Sequence, residues 1–254
     1  MTSVLVGWRR QWDLVLNTPG YWTSLLMNPL FATVFLAIMS NAGREDLLAF
    51  AVLAPAFLTM WAMALLISGE VVARDRDFGV LEATMAAPTH YASVTIGRIS
   101  LVTVVSMLGF VESWLVALFF FEPIPIVHPL AFAAGVVASA FAMTGTALGM
   151  SALFIRSTSV RRFQNAMSYP FYVLGGVLVP IDFLPGWIQP ISRVIFLSWS
   201  SDLLRDSLAP GQIESLGFRL FMLVLLGGVA MAIGWWAMGR MERHVRETGE
   251  VAFT

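Results

Sequence analysis

Six long apolar stretches, separated by short loops that carry most of the charge, constrain this chain more than any other feature. They lie near residues 22–39, 47–68, 99–121, 129–155, 163–181 and 217–239. A helix needs about 20 predominantly apolar residues to cross roughly 30 Å of hydrocarbon. Backbone amides and carbonyls find no water there, so segments that cross satisfy their own hydrogen bonds as helices. The expected fold class is an all-α integral membrane protein with six transmembrane helices, forming a single domain over residues 1–254. The composition agrees: 58% of residues are hydrophobic and 12% charged, against about 45–50% and 25% in soluble domains.

Arginine placement predicts the orientation. All fifteen basic residues are arginine. With the N-terminus in the cytoplasm, eleven of them fall inside (Arg9, Arg10, Arg74, Arg76, Arg98, Arg156, Arg161, Arg162, Arg240, Arg243 and Arg246). The positive-inside bias therefore predicts cytoplasmic N- and C-termini. Arg9, Arg10 and Asp13 interrupt the apolar character of residues 1–18, so no cleavable signal is expected and the first span serves as the insertion signal. On a helical wheel over residues 3–18, Leu5, Trp8, Trp12 and Val15 share one face, and Arg9, Arg10, Asp13 and Asn17 the other; Val6 and Leu14 break the pattern. This predicts an amphipathic helix in the headgroup region, anchored by tryptophans. An all-arginine composition points to a GC-rich bacterial genome, and so to a bacterial cytoplasmic (inner) membrane.

Two loops are long. Residues 69–98 form the expected cytoplasmic one, charged at first, with a helical stretch over 79–87 that Pro88 ends. Residues 182–216 form the expected extracellular one. There Leu184, Trp187, Ile188, Ile191, Val194, Ile195 and Leu197 recur at helical spacing, while Pro180, Pro185 and Pro190 divide the segment into short re-entrant or interfacial helices. The chain contains no cysteine, which removes disulfide and thiolate chemistry. His90, His128 and His244 are scattered over loops on both sides and predict no metal site.

Two segments carry a family likeness. The first is Asp75-Arg76-Asp77-Phe78-Gly79-Val80-Leu81-Glu82, closed by Pro88. The second is Gly175-Gly176-Val177-Leu178-Val179-Pro180, then Leu184-Pro185-Gly186-Trp187, ending in Asp202-Leu203-Leu204-Arg205. Together they resemble the permease subunits of ABC type-2 exporters. That family reads acidic-Arg-acidic-x-Gly-Thr-Leu-Glu before a proline, with Val80 standing here for the threonine. The resemblance implies an ATP-driven exporter of an amphipathic substrate such as a drug, antibiotic, lipid or lipid-linked glycan. It implies that Asp75, Arg76, Asp77, Gly79, Leu81, Glu82 and Pro88 couple the permease to an ABC ATPase subunit. It also implies a second permease copy or a paralogue, and a role in efflux and antibiotic resistance. ATP and Mg belong to the partner, and this chain binds no cofactor: there is no G-x-x-x-x-G-K-[ST] loop, and the lysine that loop needs is missing altogether. Nucleic acid is not an expected partner.

Four further residues are candidates for the substrate path or a gate. Glu112 is the one ionisable residue placed well inside an expected span, where carboxylates usually face protein or water; it contacts cargo or packs between helices. Pro180 sits at the turn of the second motif. Asp202 and Arg205, with Asp206, either gate the path or form a local ion-pair set. The alternatives to an ATP-driven permease are a secondary transporter, which wants several buried charges, and an intramembrane enzyme. A serine hydrolase of that kind lacks a base, because no histidine lies within a span.

Overall fold

The computed structural model describes residues 2–44, 47–77, 79, 90–121, 123–154 and 160–248. Among them the regular structure is helical. The short helix α1 (Thr2–Asn17) precedes α2 (Pro19–Asn41) and α3 (Leu48–Asp77). Then come α4 (Tyr91–Ser106), α5 (Leu108–Phe120), α6 (Pro129–Phe154) and α7 (Val160–Leu174). A 3₁₀ turn (Ile181–Phe183) and the helices α8 (Gln189–Ser192), α9 (Phe196–Asp206) and α10 (Leu216–Thr248) complete the fold. Five segments are long and apolar enough to cross a membrane: Pro19–Asn41, Leu48–Gly69, Tyr91–Phe120, Pro129–Phe154 and Leu216–His244. Each of α2 and α6 opens on a proline, whose missing N–H costs nothing in the first turn of a helix.

The helices overrun the expected spans at one end. α3 has 30 residues, about 45 Å at 1.5 Å per residue, and so outlasts the hydrocarbon. The segment expected as a loop over 69–98 is therefore helical through Asp77 and again from Tyr91. Gly79 follows in the left-handed region, φ +64°, a conformation that suits glycine and stops a helix. α7 differs in the other direction. The span expected over 163–181 is a helix of 15 residues ending at Leu174, about 22 Å long. Gly176 turns the chain there with φ +66°, and Ser201 Oγ donates to the Gly175 carbonyl at 2.8 Å, fixing the turn against α9.

Contacts between distant helices give the topology of the bundle. α7 runs antiparallel along α3: Gln164 donates to the Leu65 carbonyl, the Trp61 and Phe171 rings stack at 4.4 Å, and Gly176 and Val177 lie by Phe50 and Leu53. α9 packs beside the start of α6, where Ser139 and Ser200 share a hydrogen bond, and the His128 amide donates to the Ser207 carbonyl at 2.9 Å. α9 thus buries Phe196, Leu197, Leu203 and Leu204 within the bundle.

Small residues set the closest approaches. Lipid is as apolar as leucine, so helices in a bilayer associate by tight packing rather than by exclusion of water. A Cβ on Gly145 would overlap the Gly227 carbonyl oxygen, and a Cβ on Gly227 would overlap the Ala142 backbone. Further along the same pair of helices, Gly234 sits against Gly149. These contacts join α6 to α10. Gly227→Ala is expected to destabilise the protein by about 1–3 kcal/mol through overpacking, read as a lower melting midpoint in detergent. Gly228→Ala is expected to leave that midpoint unlowered or slightly raised, because nothing lies within 4 Å of the added carbon and alanine is the better helix former.

Candidate functional site

The end of the bundle that carries the Asp75 motif is held by a buried polar network. Its origin is a second glycine contact. A Cβ on Gly7 of α1 would overlap the Val94 carbonyl, and a Cβ on Gly97 of α4 would overlap the Val4 carbonyl. Touching backbones there bring Gln11, one turn beyond Gly7, level with Arg98, the neighbour of Gly97. Arg98 Nε donates to Gln11 Oε1 at 3.1 Å, and Gln11 Nε2 donates to the Tyr21 hydroxyl at 3.0 Å. Arg98 Nη1 lies 3.3 Å from Asp75 Oδ2, and both side chains are 2% exposed. The Tyr91 hydroxyl donates to Asp75 Oδ2 at 3.1 Å, and Arg10 Nη2 approaches Asp75 Oδ1 at 3.4 Å. From the other side, the Tyr91 amide donates to Glu242 Oε2 at 3.3 Å, and Glu242 pairs with Arg246. Five helices meet here: α1, α2, α3, α4 and α10. The first helix and the last therefore share one end of the bundle.

This arrangement changes the expected roles. Asp75 was expected to face an ATPase partner; instead it is 1% exposed and committed to internal cations. A carboxylate removed from water needs such pairing to stay charged. Arg98 was expected in a loop, anchoring the chain by its charge; it lies inside α4, deep in the protein. Gly79 is exposed at the turn after α3. Arg76 and Asp77 fall on the last turn of α3, and their side chains lie outside the described residues, as do Leu81, Glu82 and Pro88 entirely. The same holds for the side chains of Arg156, Arg161 and Arg162. The face of α1 also differs from the wheel. Gly7, Gln11 and Val15 are buried, while Leu5, Trp8, Trp12 and Leu16 point outward. Trp8 also reaches protein, its Nε1 donating to Ser100 Oγ at 2.8 Å, while Trp12 is exposed.

A groove of about 980 Å³ opens between α2, α3 and α7, within the size range of small-molecule sites. α2 and α7 both pack on α3 and leave the space between them. Met27, Phe31 and Leu58 give it an apolar wall, and Thr23, Ser24, Ser168, Tyr169 and Tyr172 line the remainder. No Asp, Glu, Arg, Lys or His is among the described lining residues. Behind it, the fully buried Asn28 ties three helices together. Its Nδ2 donates to the Gly109 carbonyl at 2.8 Å and to Ser113 Oγ at 3.2 Å. Its Oδ1 accepts from Thr59 Oγ1 at 3.1 Å.

None of the four path or gate candidates lines this groove. Glu112 lies on α5, half-buried, and its Oε2 is buried without a hydrogen-bond partner among the described residues. Pro180 caps the turn at Ile181–Phe183. Asp202 is held between Arg193 and Arg205, each at 2.6 Å, and Asp206 pairs with Arg219. The Arg205 guanidinium stands 3.9 Å over the Phe50 ring. Burial pushes its pKa below the ordinary arginine value, with Asp202 and Asp206 opposing. These charges neutralise one another locally and cross-link α8, α9, α10 and α3. The sequence reading missed Gln11, Tyr21, Tyr91, Arg98, Glu242 and Asn28. Two of them carried a signal: Arg98 and Asn28 are single strongly polar residues within apolar helices, and such residues usually face protein.

Removing one partner of the buried pair leaves an uncompensated charge. Asp75→Ala is expected to cost about 3–5 kcal/mol, seen as a lower melting midpoint. The double variant Asp75→Leu/Arg98→Met is expected to recover most of that loss, and with the single variants Asp75→Leu and Arg98→Met it completes a double-mutant cycle that reads the coupling.

The described geometry is that of a helical membrane protein with a motif-bearing end and a lateral groove. None of the curated proteins compared with the chain matches it. A family model described as ABC-2 type transporter matches residues 2–209, more than four fifths of the chain. The match takes in α1, the acidic motif, the groove and the Asp202–Arg205 helix, and the chain belongs to the ABC-2 type transporter family.

Proposed function

We propose that this chain is the membrane half of an ATP-driven exporter, working as one of two permease copies or paralogues on two ABC ATPase subunits in a bacterial cytoplasmic membrane. The observation that carries the reading is the wiring of the motif: the helix ending in Asp75-Arg76-Asp77 is bonded to α1 and α4 at one end of the bundle, and α4 in turn to Gln11 on α1 and Glu242 on α10. A push delivered at residues 78–89 moves those helices together. The chain lacks a nucleotide-binding loop, so the energy comes from a separate subunit. α7 with the Gly175-Gly176 turn is the fifth of six crossings. The arginine distribution supports a cytoplasmic position for the motif end, with α1 and the end of α10.

The groove between α2, α3 and α7 is the path for an amphipathic cargo, closed on its open side by the second permease. An ion-coupled transporter would want titratable groups where cargo and ion meet. Here the buried ion pairs sit at the bundle ends, away from the groove, which favours coupling to ATP.

Glu82→Arg tests the coupling. The variant is expected to insert and co-purify as a permease dimer, and to lose stimulation of the co-expressed ATPase by cargo. Normal stimulated turnover in that variant contradicts the assignment of residues 75–88 to coupling.

A further inference from the structure

The groove hydroxyls have already committed their hydrogens. Thr23 Oγ1 donates to the Pro19 carbonyl at 2.9 Å and Ser24 Oγ to the Gly20 carbonyl at 3.0 Å. Ser168 Oγ donates to the Gln164 carbonyl at 2.9 Å, and Thr59 Oγ1 to Asn28 at 3.1 Å. A hydroxyl has one hydrogen and two lone pairs. Once bonded back to its own helix or to a buried amide, it meets a visitor as an acceptor. The Tyr172 hydroxyl is already hydrogen-bonded to Ser168, and that of Tyr169 can act either way.

Charge narrows the visitor further. With no ionic side chain among the described lining residues, an anion meets lone pairs and no cation. A cation finds no carboxylate among those described residues either. The ring faces of Tyr169 and Tyr172, set edge to face at 6.5 Å, attract a cation, but more weakly than the loss of water costs it. An uncharged molecule bears neither penalty. Its hydroxyl or amide hydrogens match the acceptors, and its apolar body matches Met27, Phe31 and Leu58.

We infer that the groove selects an uncharged amphipath that donates hydrogen bonds, a polyol- or amide-headed molecule with an apolar tail. The inference rests on the groove being the cargo path.

The full chain in lipid nanodiscs tests it with three photoreactive probes. They share one diazirine-bearing dodecyl chain and differ in the head: β-glucosyl, trimethylammonium or sulfate. Mass spectrometry reads labelling of the peptides around residues 23–31 and 164–172, normalised to the lipid-facing helix 216–244 to cancel partitioning. The glucosyl probe is expected to label the groove at least about tenfold more than either charged probe. In Thr23→Val/Ser24→Ala/Ser168→Ala that preference is expected to vanish while the melting midpoint holds. Equal groove labelling by all three probes, or preference for a charged one, overturns the inference and leaves the cargo path standing. Groove labelling by none of them overturns the cargo path, and the inference with it.

Discussion

The Asp75–Arg98 pair is the interaction on which the rest of this end of the bundle depends. Two opposite charges, each 2% exposed, are expensive to bring out of water, and the cost is offset only where geometry and further hydrogen bonds satisfy both. Gln11, Tyr91 and Arg10 provide those bonds. Because they come from different helices, the pair cannot survive unless α1, α3 and α4 keep one arrangement. The pair also explains why α3 continues as a helix past the membrane: the carboxylate at its last turn has to reach the guanidinium on α4.

Glycine contacts make that reach possible. Gly7 against α4 and Gly97 against α1 set the height of Gln11 relative to Arg98, and Gly145, Gly227 and Gly234 bind α10 to α6 in the same way. The bundle is thus tight along α1–α4 and α6–α10. It is open where α2 and α7 stand apart on α3. In the proposed transport cycle the tight part acts as the lever and the open part changes shape.

Much of the fold was legible in the sequence, because a hydrocarbon solvent admits few solutions. Five of the six expected spans correspond to helices long enough to cross, and the prolines at 180, 185 and 190 do divide the later segment into short pieces. The boundaries were less legible. Glu70, Arg74 and Asp75 suggested a solvated loop, since charge usually marks one, whereas internal partners let Asp75 sit buried on a continuing helix. Arg98 was hidden for the same reason: counting arginines for topology treats each as solvated. The end of α7 turned on a left-handed Gly176, which a hydropathy pattern does not contain. The groove was not legible at all. Its walls are ordinary span residues, and its polarity depends on where each hydroxyl hydrogen already points.

The most direct test of the lever is a pair of spin-label distances in the permease assembled with its proposed ATPase, compared between the nucleotide-free and ATP-trapped states. The chain has no cysteine, so labels can be placed freely. One pair, at Asp13 on α1 and Arg243 on α10, spans the bonded end; the other, at Met27 and Tyr169, spans the groove. The expected result is a fixed distance across the bonded end and a changed distance across the groove. A bonded end that comes apart while the groove stays fixed would contradict the account.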